Sequence, residues 1–195
     1  LTYNHPLIPV LQDPDSPKDT LNRLGSTSEE RLSKAPTNRE KGFVRAAEAF
    51  AFTEGSLGDK RLAWMYAMQD LYEDFPEDQE VAAFTAVSML SGATVSRDGR
   101  VLNNFLTESG TEISMQAGAM AMDIFRENPN HPGAAHYIIH SFDHPTYAPL
   151  ALTAAEKYAG IAPAVSHARH MPTHIFIQHG MWDRVSEWND SAFQA

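Results

Sequence analysis

Residues 128–140 read NPNHPGAAHYIIH, and residues 162–174 read APAVSHARHMPTH. The two stretches are offset by 34 residues, so that Pro129 corresponds to Pro163 and two histidines recur in register. The Asn-Pro and Ala-Pro pairs each end a helical pattern. A fixed period of this length predicts a chain of stacked helical units that bury their apolar faces against one another.

The recurring histidines are His136 and His140 in the first stretch and His170 and His174 in the second. Residues four apart lie on one face of a helix, so each pair is expected to share a face. A third unit precedes them, since DLYEDFPEDQEVAAF (70–84) is similar to DIFRENPNHPGAAH (123–136). Phe84 and Ser88 occupy its two histidine slots after a one-residue slip. Stacking of these helices therefore does not require histidine.

The period, the helix–turn–helix texture and the closing prolines resemble the tetratricopeptide repeat (TPR) family. The family's small residues and turn glycine correspond to Ala117, Ala151, Val185, Gly180 and Ala192, whereas Tyr158 stands where the family has alanine. The resemblance covers roughly residues 60–195 and implies an all-α, TPR-like helical-hairpin solenoid. The HPGAAHY and HMPTHIF stretches are also similar to a set of long, largely uncharacterised bacterial TPR proteins.

The TPR resemblance implies that certain positions of each first helix line a concave groove. In this sequence those positions hold His167, His136, His170, His140, His174 and Asp143. Neutral imidazoles from helices about 8–10 Å apart can converge on one ion. The predicted metal ligands are therefore His136, His140, His170 and His174. Asp143, His167 and His5 are possible additional ligands or second-sphere partners, and all-imidazole ligation favours Zn, Cu, Ni or Fe over Mg or Ca.

Two other functions stay open at this stage. An adaptor would bind a peptide or protein partner in the groove, although clamping an acidic peptide terminus calls for Lys, Arg or Asn where this chain has histidine. A purely structural segment of a larger assembly is the third hypothesis. No HExxH, GxGxxG, GxxxxGK[ST] or GxSxG motif is present, so whether the chain is an enzyme also stays open.

The composition of the chain argues against several classes of partner and ligand. The 195 residues carry a formal charge of −10, which argues against nucleic acid, because nucleic-acid binding requires a basic face. The chain has no cysteine, which excludes disulfides and thiolate ligands. No apolar run approaches the roughly 20 residues that span a bilayer. None of this assigns a compartment.

We expect two regions along the chain. Residues 1–57 are interpreted as an irregular segment with Pro9, Pro14 and Pro17, followed by helices that pack on the array. Residues 58–195 are interpreted as the repeats, with an insert at about 91–110. The chain begins at Leu1 and ends in SAFQA inside a predicted helix, so we expect it to be a fragment of a longer protein.

Helices are predicted near 17–33, 38–54, 58–74, 79–90, 111–127, 132–143, 147–159, 166–178 and 182–194. Thr27 and Thr37 each precede a glutamate by three residues, which predicts N-terminal caps. Pro172 predicts either a kink in a helix that begins near Ser166 or a helix that begins at the proline itself. His131, His144 and His179 fall at predicted helix ends or turns, where we expect them to be solvated.

Overall fold

The computed structural model describes residue 13 and residues 15–195, so the predicted irregular segment at the N-terminus lies largely outside the described residues. The described chain is all-α: it contains no β-strand, only an isolated bridge between Val95 and Val101. None of its helices combines the length and the apolar character that crossing a membrane requires. The described chain divides into two compact units after residue 113: unit 1 is the part before this division, and unit 2 is residues 114–195. The predicted boundary at 57/58 marks the start of the repeat resemblance and stays a prediction.

The described part of unit 1 contains five α-helices and the start of a sixth. They are α1 (Ser16–Leu24), α2 (Ser28–Ser33), α3 (Asn38–Phe52), α4 (Leu57–Asp74), α5 (Gln79–Ala93) and the start of α6 (Glu108–Glu127). Helix α4 packs between α3 and α5. Apolar side chains on these faces are buried, among them Phe50, Trp64, Met68, Leu71 and Val81.

The helix starts in unit 1 follow from short polar side chains. Thr27 and Thr37 each accept a hydrogen bond from the backbone N–H three residues later, which confirms the two predicted caps. Ser56 and Asp59 form a reciprocal capping box at the start of α4 that the sequence analysis did not predict.

The prediction of one helix over 17–33 is wrong, because α1 ends at Leu24 and α2 begins at Ser28. Gly25 donates its N–H to Leu21 and leaves the helix in an extended conformation. A Cβ at Gly25 would lie 2.8 Å from Cβ of Glu30 and 2.9 Å from the backbone nitrogen of Arg31. The chain therefore turns at a position where only glycine fits without rearrangement.

The predicted insert is short and packed. Helix α5 continues to Ala93, and the chain then turns through the Val95–Val101 bridge to a 3-10 helix at Asn104–Leu106. The guanidinium of Arg61, 1% exposed, donates to the Thr94 hydroxyl at 2.6 Å. Gly58 lies so close to this turn that a Cβ there would be 2.5 Å from the Gly99 carbonyl oxygen. The insert is thus held against α4.

Unit 2 comprises the rest of α6, α7 (Pro132–Ser141), a 3-10 turn (Ala148–Ala151), α8 (Leu152–Ile161), α9 (Ser166–His170), α10 (Pro172–Gln178) and α11 (Trp182–Phe193). Helix α7 packs on α8, α8 on α10, and both α9 and α10 on α11. The core includes Ile138, Phe142, Ala151, Ile175 and Phe176, all at most 3% exposed. Packing between sequence neighbours agrees with helical hairpins, and a TPR-like solenoid stays a prediction.

Pro172 separates α9 from α10. Met171, between the two helices, keeps helical dihedral angles (φ −55°, ψ −38°). The helical hydrogen-bond pattern is therefore interrupted, but no loop is inserted. Proline has no N–H, and the missing bond explains why the predicted helix over 166–178 divides into two. His170 ends α9 and His174 lies in α10.

Candidate metal centre

Five histidines of unit 2 come together, and we call them the histidine cluster: His136, His140, His167, His170 and His174. Helix α7 supplies the first two, α9 the next two and α10 the last. Helix α8 packs against α7, α9 and α10, and so holds the helices that carry these side chains next to one another. The cluster is therefore fixed by core packing and not by a loop.

Three members converge through the same ring atom. Nε2 of His136 lies 3.0 Å from Nε2 of His140 and 3.2 Å from Nε2 of His167. A ligand atom of each residue lies within 4.8 Å of those of the other two. His136 and His140 are half-buried, and His167 is exposed. We call these three residues the histidine triad.

The hydrogen-bonding capacity of imidazole does not account for this convergence. A neutral ring nitrogen either donates one proton or accepts through one lone pair, so Nε2 of His136 makes one full hydrogen bond and not two. A cation at the centre would satisfy all three lone pairs at once. Two nitrogens on one Zn²⁺ ion at about 2.0–2.1 Å are separated by about 2.9 Å at a right angle and about 3.3 Å at a tetrahedral angle. The two contacts of His136 Nε2, at 3.0 and 3.2 Å, fall between these limits.

His170 and His174 form a second group, which we call the histidine pair. Their Nε2 atoms are 3.1 Å apart. On the other side of each ring, Nδ1 of His170 lies 2.9 Å from Oδ1 of Asn189, and Nδ1 of His174 lies 2.8 Å from Oδ2 of Asp143. Gln178 donates to the other carboxylate oxygen of Asp143 at 3.2 Å. Both outer nitrogens of the pair thus face oxygen acceptors.

The triad and the pair lie side by side. The ring centroids of His140 and His174 are 6.4 Å apart, and those of His167 and His170 are also 6.4 Å apart. Two rings of the triad therefore each have a neighbour in the pair.

A tyrosine supports the triad. The ring of Tyr158 stacks on His136 with centroids 5.2 Å apart and an interplanar angle of 14°. Tyr137 stacks on the same imidazole at 5.8 Å. Burial, and to a smaller extent the nearby Tyr137, raise the pKa of Tyr158 to about 12, so its phenol is neutral near pH 7. Tyr158, which departs from the TPR pattern, thus has a local role as the surface on which His136 rests.

The remaining histidines lie outside the cluster. The expectation that His131 is solvated is wrong: it is 7% exposed, and its Nδ1 accepts from the Ala134 N–H at 3.1 Å as the N-cap of α7. Nδ1 of His144 accepts from the Thr146 N–H, and Nδ1 of His179 faces the Ile175 carbonyl oxygen. His5 lies outside the described residues, so its part in the site stays a prediction.

The predicted ligands are divided between the two groups. His136 and His140 meet His167, which the sequence analysis gave as an additional ligand, whereas His170 and His174 meet each other. Asp143 contacts His174, as a second-sphere partner would. Binding of one ion by the four recurring histidines stays a prediction.

Two members of the site were missed from the sequence. Asn189 is a single polar residue in α11 without a repeated counterpart, so no spacing indicated it. Tyr158 could have been noticed from the sequence, because it is a large aromatic residue at a position where the TPR pattern has alanine.

Comparison of the chain with protein-family models, with curated proteins and with solved structures finds no significant match. The TPR resemblance accordingly stays a prediction, and what the site can do rests on its own geometry.

Proposed function

We propose that unit 2 is a transition-metal-binding module whose first ion is held by His136, His140 and His167. The observation that carries this proposal is the convergence of three Nε2 atoms, with contacts of 3.0 and 3.2 Å. Three nitrogen ligands without a thiolate or a carboxylate in the set favour Zn, Cu, Ni or Fe. Mg and Ca are disfavoured because both select oxygen ligands.

The exposure of the triad supports a site with an open position. His167 is exposed while the other two are half-buried, so solvent reaches one side of the proposed ion. Three protein ligands with a free position are typical of catalytic metal sites, whereas structural zinc sites are closed by four. A metal in such a position lowers the pKa of a bound water or polarises a bound oxygen ligand. The proposed function is therefore metal binding with room for an exchangeable oxygen ligand.

The test is the metal content of the 195-residue chain purified without an affinity tag, measured by elemental mass spectrometry. His136→Ala combined with His140→Ala is expected to lower the content by about one ion per chain, because only one triad ligand remains. The matched control is His144→Ala combined with His179→Ala, which removes two histidines of unit 2 outside the cluster. Absence of metal from the wild type after loading with Zn²⁺, Cu²⁺, Ni²⁺ and Fe²⁺ in turn, or an equal loss in the control, contradicts the proposal.

A further inference from the structure

We propose that His170 and His174 hold a second metal ion beside the first, so that the five-histidine cluster is a dinuclear centre. This inference rests on the proposed function, since it places a neighbour next to the ion of the triad. It differs from binding of one ion by the four recurring histidines, because the triad and the pair each receive an ion of their own.

The outer ring nitrogens of the pair carry its protons. Asp143 Oδ2 lies 2.8 Å from Nδ1 of His174, and an ionised carboxylate only accepts hydrogen bonds. Nδ1 of His174 therefore carries the proton. The Asn189 amide faces His170 with its acceptor oxygen, since Oδ1 lies 2.9 Å from Nδ1 of that ring, and in this orientation of the amide Nδ1 carries the proton.

Those two protons leave both Nε2 atoms deprotonated in the neutral rings. Their lone pairs then face each other across 3.1 Å, a contact that is repulsive unless a positive charge lies between them. Either a metal ion or one extra shared proton supplies that charge. The 3.1 Å separation also lies within the interval of about 2.9–3.3 Å expected for two imidazole nitrogens on one Zn²⁺ ion.

The surroundings of the pair favour the metal over the shared proton. A metal-bound histidine almost always donates its other ring N–H to a carboxylate or carbonyl oxygen, which orients the ring. Both histidines of the pair have such an acceptor, one from Asp143 and one from Asn189. Asp143 is itself held by Gln178. These contacts hold both rings in the orientation that ligation through Nε2 requires.

Two ions are favoured over one because of how the donors are spaced. Among the described residues, the triad is the group of three or more whose ligand atoms all lie within 4.8 Å of one another. His170 and His174 do not belong to that group. The pair lies next to the triad: the ring centroid of His174 is 6.4 Å from that of His140, and the ring centroid of His170 is 6.4 Å from that of His167. Two neighbouring ions with few protein ligands leave positions for a water or a small oxygen anion, as in two-metal sites.

The break at Pro172 is part of this arrangement. His170 is the last residue of α9, and His174 lies in the first turn of α10. Residues four apart on a straight helix share a face, and the interrupted ladder keeps this relation while the two Nε2 atoms meet at 3.1 Å. The proline thus sits between the two proposed ligands without separating them.

Zinc stoichiometry is the test. The tag-free chain is stripped with a chelator, loaded with Zn²⁺, dialysed and counted by elemental mass spectrometry. We expect about two ions per chain in the wild type and about one in His170→Ala combined with His174→Ala, since the triad is intact there. His144→Ala combined with His179→Ala is the control and should keep about two.

The outcomes separate the two proposals. No zinc in the wild type, with no other transition metal retained, rejects the proposed function and this inference together. About one ion that persists when the pair is removed leaves the proposed function standing and overturns the second site. About one ion that disappears on removal of either the triad or the pair shows a single shared ion, which also overturns it.

Two further measurements keep the test decisive if the alanine variant loses helical circular dichroism. Asp143→Asn retains the shape of the side chain but not its charge, and it should weaken binding of the second ion by about 10–100-fold while the first is unchanged. Asp123→Asn, an exposed carboxylate in α6, is its control and should change neither affinity. Loading with Cu²⁺ should give an electron paramagnetic resonance spectrum with coupling between two ions, and two uncoupled signals would contradict adjacent sites.

Discussion

His136 of the triad and His174 of the pair are each oriented by a neighbouring side chain that is not itself a proposed metal ligand. His136 stacks on Tyr158, and His174 donates through Nδ1 to Asp143. Rings that are already fixed lose less conformational entropy when they bind an ion, so supporting residues contribute to affinity. At the residue scale, metal affinity is therefore expected to depend on side chains that do not touch the metal.

Tyr158 provides a test of this dependence. Tyr158→Leu removes the stacked ring and should lower zinc affinity about tenfold, because the orientation of His136 is no longer fixed. Tyr158→Phe keeps the ring and should retain affinity within about threefold. Competition with a chromophoric chelator measures both, at a temperature where circular dichroism shows each variant folded. Equal affinities for the leucine and phenylalanine variants would show that stacking has no part in the site.

Among the elements of unit 2, α6 and α7 pack closely at one glycine. A Cβ at Gly118 would lie 2.4 Å from Cζ of Phe142 and 2.9 Å from Cβ of Ser141, and both neighbours are buried. Gly160 in α8 has nothing within 4 Å of its would-be Cβ. The same substitution therefore has opposite expected effects at the two positions.

Gly118→Ala should destabilise unit 2 by about 1–3 kcal/mol, because overpacking outweighs the gain in helix propensity. Gly160→Ala should stabilise it by about 0.5–1 kcal/mol, since only the propensity and the unfolded-state entropy change. Urea denaturation followed by circular dichroism measures both free energies of unfolding. Stabilisation by Gly118→Ala would contradict the close α6–α7 contact.

In unit 1 the start of α5 depends on Asp78. Its carboxylate accepts from the N–H groups of Glu80 and Val81 and pairs with Arg39 at 2.6 Å. The hydrogen bond from Arg39 is the main cause that lowers the pKa of Asp78. A carboxylate whose pKa is lower in the folded state than in the unfolded state stabilises the fold at any pH above the unfolded-state pKa. This contribution is lost as pH falls through the folded-state pKa.

Asp78→Ala should therefore cost about 1–2 kcal/mol of stability at pH 7. The difference from the wild type should begin to shrink below about pH 4, where Asp78 of the unfolded chain takes up a proton, and should be lost as pH falls through the lowered pKa of the folded state. Denaturation curves recorded from about pH 2 to about pH 7, on both sides of the usual Asp pKa of ~3.9, measure the difference in free energy of unfolding. Asp70→Ala, at an exposed position in α4, is the control. A difference that is independent of pH would contradict the role of the charged form.

For the whole molecule, the division into two compact units places every member of the histidine cluster in residues 114–195. A ligand that binds only the folded state stabilises it by RT ln(1 + [L]/Kd), about 2.7 kcal/mol at a hundredfold excess over Kd. Stabilisation by metal is thus expected first in the helices that supply the ligands.

Hydrogen exchange with and without Zn²⁺ tests this expectation. Peptides from α7, α9 and α10 should exchange more slowly with the ion bound, while peptides from α3 and α4 should be unchanged. The comparison is repeated with His136→Ala combined with His140→Ala, in which slowing in α7 should disappear. Slowing confined to α3 and α4 would place the bound ion outside the cluster.

The all-α class and most of the helix bounds were predictable because capping residues and prolines stand next to the ends of the helices. Thr27, Thr37 and the recurring prolines lie where the structure begins or ends helices. The turn at Gly25 was missed because it depends on close approach to α2, which spacing along the chain does not report. For the site, the four-residue spacing predicted that His136 and His140 share a face of one helix, whereas His170 and His174 lie in two helices that Pro172 separates. It did not predict that His167 joins the triad or that Asn189 faces His170, since both depend on how neighbouring helices pack.

The most direct measurement of the central claim is anomalous scattering from a crystal of the zinc-loaded chain, with data on both sides of the zinc absorption edge. We predict one peak about 2.0–2.1 Å from the Nε2 atoms of His136, His140 and His167. A second peak is predicted between His170 and His174. A zinc-loaded crystal with no anomalous peak at the triad, or with peaks only at other surface residues, would contradict the account.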